Sequence, residues 1–180
     1  MMKALKHRAV STAALVTLTA TGVMAPLTSA SADPVQHNSS SEARRPVIMN
    51  GKIVFGGGVP VGGWYSLSLY ENGSYQWSGH AHDSGGTSYN FSSGCVVRMN
   101  SGTTYAFKTS GRLHGTFESG SRDHDWSRSG KLSSVPAAWA ASRGGWTARC
   151  NSRASLDING LINSLKEGIG YVTTIVAIVA

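Results

Sequence analysis

Charge, cysteine and proline are all scarce in this chain. Asp, Glu, Lys and Arg make up 14% of its 180 residues, with nine acidic side chains against sixteen basic, and there are two cysteines and five prolines. Each scarcity excludes something. Two cysteines are too few for a thiolate zinc centre. The formal charge of +7 includes Lys3, Lys6 and Arg8, and without the first 32 residues it is +4. Beyond those residues Arg44-Arg45 is the only basic pair, and no basic run with interleaved aromatics tracks phosphates, so nucleic acid is not an expected partner. The glycines Gly56-Gly57-Gly58 and Gly62-Gly63 are not followed by Gly-Lys-Ser/Thr or by a helical pattern. They read as a turn needing positive φ, not as a phosphate cradle. No Gly-x-Ser-x-Gly marks a serine nucleophile.

What is present begins with a targeting pattern. Lys3, Lys6 and Arg8 precede an uncharged stretch from Ala9 to Leu27, and Ala30-Ser31-Ala32 offers a cleavage site. This order predicts a signal peptide over residues 1–32, a mature start at Asp33, and a secreted, extracellular protein. Thr17, Thr19, Thr21 and Pro26 interrupt the apolar part and argue against a retained anchor. An oxidising compartment and an even cysteine count predict a Cys95–Cys150 disulfide, which closes a loop of about 55 residues and contributes about 3–4 kcal/mol in the chain-entropy model.

Residues 33–51 have little to bury and are expected to form a disordered tail; residues 52–180 are expected to form a single β-rich domain. Two alternating runs, Trp64 to Tyr70 and Ser74 to His80, flank Glu71-Asn72-Gly73, the strongest hairpin signal in the chain. Tyr65, Leu67, Leu69, Tyr75 and Trp77 form its apolar face, and Ser66, Ser68, Gln76, Ser78 and His80 its polar one. Further strands are expected at Cys95–Met99, Thr103–Thr109, Arg112–Glu118 and Gly145–Leu156, with turns at Asn100-Ser101-Gly102 and Ser110-Gly111. A polar loop is expected from Gly120 to Gly130, and one or two helical turns at Pro136–Ala141. Short strands punctuated by Gly, Asn and Ser predict a mainly β fold, a single antiparallel β-sandwich or small barrel with a C-terminal helix.

That helix has apolar residues at helical spacing from Leu161 to Val179, with Asp157 or Asn159 as its cap. Gly168 and Gly170 each cost about 1 kcal/mol inside a helix. The alternative is a short helix ending at Glu167, followed by an apolar strand from Tyr171 to Val179. Residues 169–180 carry no charge but fall short of the roughly 20 residues that span a bilayer, which leaves an interfacial contact as one reading.

Three groups of residues carry chemistry. His80 and His82 are two apart on an expected strand and so share its polar face, where both imidazoles fit one divalent metal. His114, with Asp83 or Glu118, is the expected source of further ligands, and zinc the expected metal. Arg122-Asp123-His124-Asp125-Trp126 sets a histidine between carboxylates, the parts of a general base or a cation site. Among the aromatics, Trp64, Trp77 and Trp146 are expected in the core, while Tyr70, Tyr89 and Trp126 are expected at the surface, where flat rings beside Asn, Asp and Arg suit stacking on sugars or peptides.

The segments Gly62-Gly63-Trp64-Tyr65, Ser78-Gly79-His80-Ala81-His82-Asp83-Ser84-Gly85 and Gly115-Thr116-Phe117-Glu118-Ser119-Gly120-Ser121-Arg122 resemble small secreted proteins of high-GC Gram-positive bacteria. The resemblance covers residues 55–180 and implies no assigned activity, so no functional residue is carried over. The residues support, first, a secreted non-catalytic domain binding glycan, cell-wall material or a protein through Tyr70, His80, His82, Asp83, His114 and Trp126, with no cofactor. The alternatives are a zinc-dependent hydrolase built on His80, His82 and His114, and a membrane-active protein acting through residues 169–180.

Overall fold

The computed structural model describes residues 45–170 and 175–180, together with the backbone of Val35–Asn38. The expected signal peptide lies outside the described residues. The elements run β1 (Val35–Asn38), β2 (Val47–Val54), β3 (Val61–Leu69), β4 (Ser74–Asp83), β5 (Tyr89–Met99), β6 (Thr104–Leu113), β7 (Asp123–Lys131), α1 (Val135–Ala141), β8 (Trp146–Arg153), α2 (Ile158–Gly168) and β9 (Ile175–Val179). The strands form a five-stranded sheet ordered β1-β8-β5-β6-β9 and a four-stranded sheet ordered β2-β3-β4-β7. Every pairing is antiparallel except β6–β9, which is parallel. The expected β-sandwich with a C-terminal helix is the observed architecture.

The two sheets close on one apolar layer. Tyr65, Leu67 and Leu69 of β3 and Trp77 of β4 face Phe91, Cys95 and Val97 of β5 and Tyr105 and Phe107 of β6, all essentially removed from water. Burying each such side chain stabilises the fold by about 1.5–3 kcal/mol, so this layer is the main reason the chain folds. The hairpin pairs Leu69 with Tyr75 and turns through Gly73 at φ +85, a conformation glycine adopts without steric cost. Cys95 and Cys150 are directly opposed on β5 and β8 and are joined as a disulfide. The short helix α1 sends Val135, Ala138 and Trp139 into the same core.

The five-stranded sheet also buries part of its outer face. On the five-stranded sheet, Val96 and Ala106 point away from the main core and meet Leu161, Ile162, Leu165 and Ile169. The Asp157 carboxylate accepts from the Gly160 amide and caps the helix. The longer C-terminal helix does not form; the chain takes the alternative, a helix ending at Gly168 and then the edge strand β9. Gly170 at φ +90 marks the break.

Four other expectations are corrected. The tail assigned to residues 33–51 holds strand at Val35–Asn38 and at 47–51, because Val47 and Met49 alternate into the core while their backbone pairs with β3. Ser110-Gly111 is not a turn, since β6 runs through it opposite Ser92 and Phe91. The strand expected to Glu118 stops at Leu113, and Phe117 beyond it is 88% exposed. The loop expected from Gly120 to Gly130 is mostly β7, an edge strand pairing with β4.

Candidate functional site

Among the described residues no element covers the outer face of the four-stranded sheet, and its register fixes what that face presents. Four rungs cross β2, β3, β4 and β7 in order: Ile48-Ser68-Gln76-Ser129, Asn50-Ser66-Ser78-Ser127, Lys52-Trp64-His80-Asp125 and Val54-Gly62-His82-Asp123. Small hydroxyl and amide side chains fill the first half, apart from the exposed Ile48 on its edge strand. The second half gathers an exposed indole, two imidazoles and two carboxylates. Trp64 is 48% exposed, which corrects its expected place in the core. Its neighbour Tyr65 is the inward residue, so strict alternation across the hairpin already places Trp64 outside.

His80 and His82 lie on this face as expected, their rings nearly parallel at 11° with centroids 6.4 Å apart. The carboxylates beside them come from β7. His80 Nδ1 is 2.8 Å from Asp125 Oδ1, and His82 Nδ1 is 2.7 Å from Asp123 Oδ1. The same Asp123 oxygen is 3.6 Å from His80 Nε2. One ligand atom each from His80, His82 and Asp123 falls within a 4.8 Å group, the one such group of three among the described residues.

His114 is not part of it. It sits in the turn after β6, its Nδ1 3.7 Å from Glu118 and its amide bonded to the Ser121 carbonyl. Glu118 bonds the Arg112 guanidinium instead. Its carboxyl is held below the ordinary range, first by a hydrogen bond from Ser88 and then by that guanidinium. Neither residue lies in the group with His80 and His82; Asp123 is the third member there. Asp83, expected to bind ligand, is fully buried because β4 alternation turns it inward. Its Oδ1 accepts from the Gly85 amide while its carbonyl receives two bonds from Arg122, so it shapes the turn after β4.

Alternation also divides the Asp123-His124-Asp125-Trp126 segment. The two aspartates point out, whereas His124 and Trp126 point between the sheets. Trp126, expected at the surface, is only 4% exposed and packs on Trp77 and Phe91. Its indole lies directly over Gly79, where any Cβ would collide with the ring. His124 packs on Phe91 and Trp126 and bonds Thr109 through Nε2, and burial pushes its pKa down. The histidine and its flanking carboxylates are therefore not one general-base unit.

Tyr70 is exposed as expected, but it lies by the hairpin turn, in a shallow cleft with Pro46, Glu71, Asn72 and Pro136. It is six residues along the chain from Trp64, about 20 Å at the rise of a strand. The six binding residues expected from sequence therefore do not form one site. His80 and His82 stay together, and Trp64, Asp123 and Asp125 join them. No family model, no curated protein and no solved structure matches this chain.

Proposed function

We propose that this chain is an exported, non-catalytic binding domain that engages glycan, cell-wall material above all, through the open face of its four-stranded sheet. Trp64 carries the reading. It is a large apolar side chain left 48% exposed in a central strand, in a rung with Lys52, His80 and Asp125. A flat indole offers a stacking surface to the apolar face of a sugar ring, and surrounding hydroxyl, amide and carboxylate groups supply hydrogen bonds to its hydroxyls. Asn50, Ser66 and Ser78 provide those groups on the adjacent rung, and Gln76 on the one beyond it. Export is supported by the order of features at the N-terminus and by the disulfide, which persists in oxidising compartments.

The test is retention of the mature protein on peptidoglycan and insoluble polysaccharides, beside Trp64→Ala. The expected result is binding by the wild type and at least about tenfold weaker binding by the variant, a loss of about 1.4 kcal/mol. Equal retention of the two would overturn the reading.

The hydrolase reading keeps His80 and His82 but exchanges His114 for Asp123, and it depends on metal occupancy. The membrane-active reading has less support: Ile169 packs with α2, and Ile175–Val179 is committed to the edge of a sheet. No helix among the described residues is long and apolar enough to cross a membrane.

A further inference from the structure

We propose that the end of the open face is a site for a divalent transition metal, zinc foremost, with His80 Nε2, His82 Nδ1 and Asp123 Oδ1 as its protein ligands. The proposal deepens the binding reading by giving that face a metal, but the metal site stands without the glycan.

The donor set selects the metal. Two imidazoles and one carboxylate suit zinc and its first-row neighbours, whereas calcium and magnesium take oxygen ligands. Geometry assigns the atoms. Asp125 accepts from His80 Nδ1 at 2.8 Å, which fixes the tautomer and leaves Nε2 as a lone-pair donor. This is the arrangement in which a carboxylate behind a histidine orients it and raises its basicity towards a metal. That Nε2 faces Asp123 Oδ1 at 3.6 Å; His82 Nδ1 is hydrogen-bonded to the same oxygen at 2.7 Å, so it ligates once its proton moves to His82 Nε2. Ligands of a tetrahedral zinc stand roughly 3.4 Å apart, so a small opening of the His82–Asp123 contact admits the ion.

The three ligands sit on two paired strands within the sheet, so the backbone already holds them together. Their side chains are 32%, 43% and 48% exposed, which leaves the ion reachable from solvent. Gly62, opposite His82, has no side chain to cover the approach. Three protein ligands leave at least one coordination position open, one rung from Trp64. A sugar hydroxyl or carboxylate stacked on the indole would reach that position.

The experiment uses the mature protein without a histidine tag, titrated with Zn2+ by calorimetry and with Co2+ by visible absorption. One equivalent of Zn2+ is expected, together with a Co2+ d–d band. His82→Ala and Asp123→Ala should each weaken binding by at least about tenfold, and Asp125→Asn, which perturbs only a positioning residue, by about tenfold with its Co2+ band shifted. His114→Ala should bind as the wild type does. All four variants alter side chains that are wholly or partly exposed, and the thermal midpoint of the metal-free proteins should stay within a few degrees of wild type. No stoichiometric metal, or metal binding that survives both His82→Ala and Asp123→Ala, would overturn the proposal. Binding to polysaccharide with and without chelator separates the two claims: retention that resists chelation leaves the glycan reading intact while removing the metal from it.

Discussion

The outer faces of the two sheets begin from the same alternation and reach opposite ends. On the five-stranded sheet, α2 covers Val96 and Ala106, so β5 is buried on both sides and Phe91 through Val97 lose contact with water without a break. On the four-stranded sheet no described element covers the corresponding positions, and β3 and β4 keep an inside–outside pattern. One face is closed by the chain itself for stability. The other is left open and collects the groups that can recognise something else.

The disulfide gives the largest expected difference between the sheets, because it ties β5 to β8 and no such bond lies in the other sheet. Cys95→Ala/Cys150→Ala should lower unfolding free energy by about 3–4 kcal/mol in denaturant melts. Hydrogen exchange should show the loss first in β8 and β1. Leu161→Ala comes next. It removes a fully buried side chain from the lid on the covered face and should cost about 2–4 kcal/mol. A cost under about 0.5 kcal/mol would mean that α2 is not part of the cooperative unit. Gly79→Ala pushes a methyl group into the Trp126 ring beneath the open face and should cost about 1–3 kcal/mol, visible as altered near-ultraviolet dichroism. Trp64→Ala should change stability by no more than about 0.5 kcal/mol, since it is an exposed position without a structural partner in the core. The comparison sharpens if that substitution removes ligand binding while Leu161→Ala, scaled to the folded fraction, leaves it unchanged.

The hairpin of β3 and β4 was legible because two period-two runs flank Asn72-Gly73, and no other local structure satisfies both cues. The disulfide was legible from export chemistry and an even count. β7 was not. Asp123 to Lys131 contains a single large apolar residue, Trp126, beside the inward His124, and is otherwise polar, as edge strands are when charge protects an unpaired ladder. Such a strand reads as a loop until its partner is known. With β7 hidden, nothing in the sequence places Asp123 and Asp125 beside His82 and His80, and His114, Asp83 and Glu118 stand out instead. Trp64 was misplaced for a different reason: tryptophan is so often buried that composition outweighed the alternation which, from Tyr65, already set it outside. The C-terminal choice turned on Gly168 and Gly170, whose cost in a continuous helix decided for helix and strand.

The cross-link also bears on how the chain assembles in time. Val35 is opposite Cys150, and Cys150 is opposite Cys95, so three distant points of the chain share one rung. Docking β1 on a reduced chain requires an encounter between residues more than a hundred positions apart, the kind of contact that slows β proteins. Once the sulfurs are joined, the path from Val35 to that rung runs through Cys95 and is roughly halved, which lowers the entropy of closure by about 0.6 kcal/mol. The disulfide therefore makes the N-terminal strand less costly to add to the sheet than it would be on a reduced chain.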